Sequence, residues 1–395
     1  MAERKGEVAL VGCDDYDRER VLASISGSIE LLGGLGQFVS PGQRVLLKPN
    51  LLQATAPEKC VTPHPSVVYA VGKLLTEHGC KVIIADSPGA GLPYTAGTLR
   101  KVYAATGLDK VAEELGIELN FDTSYQEVPN PDGHKVKRFV VISPALEVDV
   151  IVSVCKAKTH VMTAMTGATK NTFGLLPGWE KPSFHSRMES ANDFAEMLID
   201  LNDLMGPRLY IMDAIMGMEG DGPHNGDPRK IGAVVASANC HALDVVAARL
   251  MGFDPQDICT IRAAIGRGYL EKDLSGITVM GARVEDLAPN DFRKPATYVP
   301  GGQYEPGRLM RTVGKLARAY ALRPEVITER CVGCGQCEKV CPKKTVKVKK
   351  GKARFKYGDC IRCYCCHEMC PHDAIALRHS AGGRLLVKIT GGRAR

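Results

Sequence analysis

Two stretches near the C-terminus repeat one another: Cys331-Val-Gly-Cys334-Gly-Gln-Cys337-Glu-Lys-Val-Cys341-Pro342 and Cys360-Ile-Arg-Cys363-Tyr-Cys-Cys366-His-Glu-Met-Cys370-Pro371. Both read C-x2-C-x2-C-x3-C-P, and no other feature constrains the folding of this chain so tightly. Three cysteines at this spacing let one tight loop present three thiolates to a compact metal–sulfur core, and the fourth must arrive from elsewhere. In this pattern the fourth cysteine of each run serves the cluster of the other run. The spacing therefore predicts two 4Fe–4S clusters, one on Cys331, Cys334, Cys337 and Cys370, the other on Cys360, Cys363, Cys366 and Cys341. Zinc sites favour cysteine pairs and not triplets closed by Cys-Pro, and a disulfide framework fits the spacing less well still. Cys365, wedged beside Cys366, reads as a free thiol near the cluster, with a spare ligand as the alternative.

The stretch from about 325 to 380 resembles the two-cluster bacterial ferredoxins over its full length. The duplication extends to the apolar strands: Thr345-Val346-Lys347-Val348 after the first Cys-Pro is repeated as Ala374-Ile375-Ala376-Leu377 after the second. That resemblance implies a small α+β domain whose two halves close on each other through the metal bonds.

At 395 residues the chain is long enough for two or three domains. Six further cysteines, Cys13, Cys60, Cys80, Cys155, Cys240 and Cys259, are scattered through apolar stretches and read as small buried hydrophobes in a reducing compartment. The N-terminal apolar run is too short for a signal-peptide core or a membrane span, so a cytoplasmic protein is expected. Charge is divided unevenly. Residues 325–395 carry 16 Lys and Arg against 6 Asp and Glu, whereas the rest of the chain nets −3. Much of the excess lies between the cysteine runs, from Lys343 to Lys356. Two clusters with their thiolates bring negative charge of their own. Local compensation and docking of an acidic redox partner therefore explain the block better than nucleic acid, for which no recognition motif is present.

Residues 1–284 alternate short β-branched runs with longer helical patterns, the signature of a layered α/β domain with a mostly parallel sheet. Strands are expected at 8–11, 43–48, 81–85, 137–143, 148–154, 209–212, 231–236 and 277–280. The Pro- and Gly-rich stretch 285–324 reads as a linker with a short helix at 307–320, and 381–395 as a basic tail. Polar residues collect after the carboxyl ends of the strands, the edge where open α/β sheets bind ligands.

Four stretches at that edge could carry chemistry: Lys48-Pro49-Asn50-Leu51, Asp86-Ser87-Pro88-Gly89, the segment from Cys155 to Gly178, and the acidic run from Asp213 to Pro228. In the third, Lys156, Lys158, Lys170 and His160 concentrate positive charge in an expected loop rich in glycine and hydroxyls, suited to a carboxylate or phosphate. Lys170 is its expected central contact, with Thr166, Gly167 and Thr169 letting a ligand approach the backbone. Glu219, Asp221 and Asp227 match no calcium loop and read as turn residues before a cation site. Lys170 and His160 are thus the candidate catalytic residues, and Lys48, Asn50, Asp86, Lys156 and His185 the candidate cofactor-binding ones. No dinucleotide or Walker motif is present.

In order, Lys-Pro-Asn-Leu, Asp-Ser-Pro-Gly, Lys-Ala-Lys-Thr-His, Gly-Ala-Thr-Lys-Asn-Thr-Phe-Gly and Glu-Gly-Asp-Gly-Pro, followed by the cysteine runs, resemble the iron–sulfur members of the family called domain of unknown function 362. That resemblance covers almost the whole chain and implies a fold and an association with clusters, without a reaction. The layout of His160, Lys170, Leu-Leu-Pro177-Gly178 and His185 is also similar to the cofactor-holding segment of nickel-pincer lactate racemases, although Gly167-Ala168-Thr169-Lys170 stands where those have Gly-Gly-Arg-Lys. Three functions follow as expectations. The first is an oxidoreductase passing electrons between the clusters and a small anionic substrate or partner at the sheet edge. The second is a non-catalytic electron carrier or assembly module, and the third a racemase-like, non-redox enzyme with accessory clusters.

Overall fold

The computed structural model describes residues 6–301 except 90 and 189, residues 322–380, and residue 384. The expected helix at 307–320 and the tail beyond 384 lie outside these.

The large domain is built on strands β1 (Glu7–Gly12), β2 (Arg44–Pro49), β3 (Lys81–Ile84), β4 (Glu118–Leu119), β7 (Val150–His160), β8 (Ala164–Met165), β9 (Leu209–Glu219), β10 (Asp227–Ser237) and β11 (Thr278–Gly281), with a separate hairpin of β5 (Tyr125–Pro129) and β6 (Arg138–Ile142). In space they run β11-β1-β10-β9-β7-β2-β3-β4, with β8 folded back on β7. All neighbours are parallel except β10 with β1 and β9, and β8 with β7. The α/β, mostly parallel architecture read from the alternation is the one observed.

Both faces of this sheet are covered, and the period-two alternation of strand side chains decides which residue faces which layer. On β1, Ala9 points into a core shared with helices Arg18–Leu31 and Pro65–Glu77, whereas Val8 and Leu10 join the opposite core under helices Cys240–Leu250 and Cys259–Gly266. A third apolar cluster lies under helix Ala191–Met205, where Leu46, Ile83 and Ile151 meet Phe194, Met197 and Leu198.

Strands β4, β5 and β8 were not expected, and two further departures from the sequence reading matter for the site. Strand β7 does not stop at 154 but continues to His160, so Lys156, Lys158 and His160 lie on a buried central strand and not in a loop. Strand β9 runs past Asp213 to Glu219 alongside it, with Lys156 opposite Asp213 and, after a register shift, Lys158 opposite Met218. Polar residues hid this extension, because their partners come from distant parts of the chain.

The small domain pairs β12 (Arg323–Val326) with β15 (Ile375–Arg378), and β13 (Val346–Lys349) with β14 (Lys352–Phe355). Short helices Gln336–Val340 and Cys365–Glu368 each carry the third cysteine of their run, Cys337 and Cys366. Residues 285–301 pack along the large domain. Arg293 forks onto Glu219 (2.7 Å) and Asp227 (2.5 Å), the Ala296 amide donates to Asp221 (2.7 Å), and the Thr297 hydroxyl to the Val161 carbonyl (2.5 Å). The acidic run is therefore a set of anchors for this strap, in keeping with its reading as turn chemistry.

The domains touch directly. Val161 and Ala296 pack with Leu322, Tyr364 and Leu377. A Cβ on Gly91 would come within 2.9 Å of Val340, so glycine there permits the close approach. The Asn225 amide donates to the His367 carbonyl (3.0 Å), and His367 Nε2 lies 3.2 Å from the Asp221 carbonyl.

Candidate functional site

The carboxyl ends of β2, β3, β7 and β9 bring together a row of buried ionisable groups, and burial of a charge is tolerable only when it is paired or solvated by dipoles. Two of the lysines are paired. Lys48 Nζ lies 2.8 Å from Asp86 Oδ1, and the other Asp86 oxygen accepts from the Leu51 amide at 2.8 Å. Lys156 Nζ lies 2.7 Å from Asp213 Oδ2, and the Tyr16 hydroxyl and the His64 amide complete that carboxylate's shell at 3.0 and 2.8 Å. Burial pushes the Lys48 ammonium down and the Asp86 carboxyl up, while each opposes the shift of the other.

The remaining cations lack a carboxylate of this kind within the large domain. Lys158 Nζ donates to Asn50 Oδ1 and the Val61 carbonyl, both at 2.6 Å. Burial and the neighbouring Lys170 hold it well below the usual lysine range. Lys170 has no hydrogen-bond or ion-pair partner among the described residues, only the Phe173 ring 5.7 Å away. Burial lowers its ammonium, opposed by Glu368 and the Cys365 thiol. His160 accepts from the Met162 amide at Nδ1 (3.0 Å), which leaves the proton on Nε2. That nitrogen lies 3.3 Å from Glu368 Oε1 without hydrogen-bond alignment, so both atoms are buried and unsatisfied, as is Thr166 Oγ1.

His185 is held differently. Its ring stacks on Phe194 at 4.6 Å and meets Phe173 edge-on, and burial lowers it to about 3. Its Nδ1 also lacks a partner.

Sequence reasoning missed Asp244, Glu368 and Lys181, and placed Asp213 in an acidic loop instead of opposite Lys156. Asp244, on helix Cys240–Leu250, accepts from the amides of Ala168 (2.5 Å) and Thr169 (3.0 Å), and a Cβ on Gly167 would sit 2.2 Å from its oxygen. The glycine expected to admit a ligand to the backbone instead admits Asp244. Gly174 does the same for Asp86, which a Cβ there would meet at 2.0 Å. Asp213 and Glu368 answer Lys156 and His160 from β9 and from the second cysteine run. Lys181 donates to the Ser87 and Pro88 carbonyls and the Ser87 hydroxyl at 2.8 to 2.9 Å, and burial pulls it down to about 7 against the pull of Asp86. A glycine at 167 and the excess of lysines over acids near it were the signals that the sequence carried.

In the small domain, Cys331, Cys334, Cys337 and Cys370 ring one void, and Cys341, Cys360, Cys363 and Cys366 ring another. The structure brings together the same crossed foursomes that the spacing groups, and four thiols about one small void suit a 4Fe–4S core. Cys365 borders the second void but seats its side chain in an apolar patch with Val340 and Met369.

An α/β unit whose strand ends meet the cysteine loops of a 4Fe–4S domain defines the class. The family model for "Domain of unknown function (DUF362)" matches residues 45–249, and that for a "4Fe-4S dicluster domain" matches residues 319–375. The chain belongs to the DUF362 family and carries a C-terminal 4Fe–4S ferredoxin-type domain. It is 35% identical over 295 residues to the "Thylakoid-associated protein sll1697" of Synechocystis sp., a match spanning 74% of this chain and 89% of that protein. Among solved structures, the lactate racemase apoprotein of Thermoanaerobacterium thermosaccharolyticum aligns with a TM-score of 0.37 at 12% identity, covering 65% of this chain and 60% of that one. A Thermotoga maritima protein aligns with a TM-score of 0.35, also at 12% identity, covering 55% of each chain. Among the described residues no helix is long and apolar enough to cross a membrane.

Proposed function

We propose that this chain holds two 4Fe–4S clusters and exchanges electrons between them and a small anion seated by Lys158, Lys170 and His160. One observation carries the reading: the second cysteine run lies on the cationic end of β7, with Glu368 3.3 Å from His160. Lys170, without a polar partner among the described residues, and the buried, unsatisfied His160 Nε2 and Thr166 Oγ1 lie on the segment that meets this loop through Glu368. Lys48, Asp86 and Lys156, paired within the protein, serve as the rigid wall of the site. Asn50 positions Lys158, and His185 closes the floor through its aromatic stack. The buried, unpaired upstream thiols suit a reducing, cytoplasmic setting.

The test is an inventory of anaerobically purified protein by iron analysis and native mass spectrometry. The expected result is about eight iron atoms per chain and a bound anion that Lys170→Ala loses while its iron content is unchanged. Iron near four per chain, or the same ligand inventory in Lys170→Ala, overturns the proposal.

A further inference from the structure

The two cysteine loops share one sequence pattern but not one environment. The second is covered by the large domain: Tyr364, Cys365, His367, Glu368 and Met369 are all buried. The first faces outward. Val332 is 62% exposed and Cys334 is an exposed thiol.

Beside that loop lies the tip of the β13–β14 hairpin. A Cβ on Gly333 would stand 2.5 Å from the Gly351 carbonyl, so loop and turn touch backbone to backbone, and Lys352 fastens them by donating to the carbonyls of Thr328 (2.9 Å) and Cys331 (2.6 Å). The turn residues Lys350 and Gly351 both have positive φ, 50° and 69°. A tight hairpin turn of this hand favours Asn-Gly, and a lysine in the left-handed region costs about 1 kcal/mol. Lys349 and Lys350 are exposed and form no ion pair among the described residues, whereas Lys347 and Lys356 elsewhere in the block pair with Glu338 and Asp359. An apolar side chain over an exposed cluster ligand, flanked by unpaired lysines on a rigid turn, has the form of a contact patch for an oppositely charged protein.

We infer that the Val332–Cys334 loop and the Lys349–Lys350 tip form the docking surface for an acidic, one-electron carrier protein, so that electrons arrive at the first cysteine loop and leave by the second. The inference rests on the two-cluster reading above and names its partner. One electron leaves the reduced carrier and is taken up at the Cys331–Cys337 loop; no atoms are transferred. The geometry suits this direction, because the first loop is the one a large partner can reach and the second faces the anion site.

The test uses full-length anaerobic protein, with a reduced acidic flavodoxin as the protein donor and reduced methyl viologen as a small one, following the bleaching of the visible absorbance. Lys349→Glu/Lys350→Glu and, separately, Val332→Asp are expected to lower the second-order rate with flavodoxin about tenfold at low ionic strength. The deficit should shrink as salt shortens the Debye length, and the viologen rate should stay unchanged. Lys343→Glu/Lys344→Glu, the same charge reversal nearer the second void, is expected to change the flavodoxin rate less than about twofold. Equal losses from both reversals, or none from the tip, overturn the inference. If viologen reduces eight-iron protein normally but flavodoxin does not, the partner is wrong and the two-cluster reading stands. Iron near four per chain removes both.

Discussion

The two cysteine runs are spaced alike and fold alike. Gly335 and Tyr364 each precede a short helix in the left-handed region, at φ 79° and 60°. Gly333 and Arg362 match at 70° and 59°, and Lys344 and Asp373 at 52° and 47°. Their surroundings diverge completely. Where the first run has Glu338 and Lys339 at the surface, the second has His367 and Glu368 buried against the large domain. Local sequence sets the loop, and what packs on the loop sets its role.

The largest expected effect tests whether the runs cross over. Cys341→Ser and Cys363→Ser should deplete the same cluster, and Cys370→Ser and Cys334→Ser the other, as judged by iron content and electron paramagnetic resonance of the reduced protein. If Cys341→Ser and Cys334→Ser remove the same signal, each run serves itself and the comparison must be redrawn.

A smaller effect should separate equivalent positions 338 and 367. His367 Nδ1 lies 2.6 Å from the Ile375 carbonyl while Nε2 reaches the Asp221 carbonyl at 3.2 Å, so His367→Ala strands buried polar groups and should cost about 2–3 kcal/mol. Glu338→Ala removes a part-exposed pair with Lys347 and an acceptor for the Val348 amide, and should cost clearly less. Thermal unfolding of the anaerobic proteins measures both, and hydrogen exchange at 221–225 should rise only in the first. Comparable losses would mean that the interface contributes little to seating the second run.

The smallest effect concerns the matched turns. Gly333→Ala should destabilise by about 1–2 kcal/mol, because its Cβ meets the hairpin turn, whereas Arg362→Ala, at a position already held by a side chain, adds no such clash and should cost less. Denaturant unfolding reads both, and a neutral Gly333→Ala would show that loop and hairpin move apart freely.

Much of this was legible in the sequence, for reasons that also mark where legibility ends. The cysteine foursomes follow from spacing alone, because a cluster's geometry is imposed over a few residues. The parallel sheet follows from alternating patterns. The end of strand β7 was read six residues too early, since Lys156, Lys158 and His160 look like surface residues until Asp213, Asn50 and Glu368 arrive from 57, 108 and about 200 residues away in the chain. Gly167 was read as a place where a ligand nears the backbone, but the group that approaches is the protein's own Asp244; Gly174, not singled out in the sequence, admits Asp86 in the same way.

The placement of the cationic row on a strand has a consequence for how this family can vary. Lys156, Lys158 and His160 occupy alternate positions of β7, so inserting or deleting one residue upstream within the strand would rotate the whole row to the other face of the sheet. Substitutions can tune such a site one group at a time, whereas a single-residue length change erases it at once. Among relatives, length variation should therefore be confined to the connections outside β7, and a chain with a shifted β7 should be expected to have lost this buried row of cations while keeping its cysteine runs.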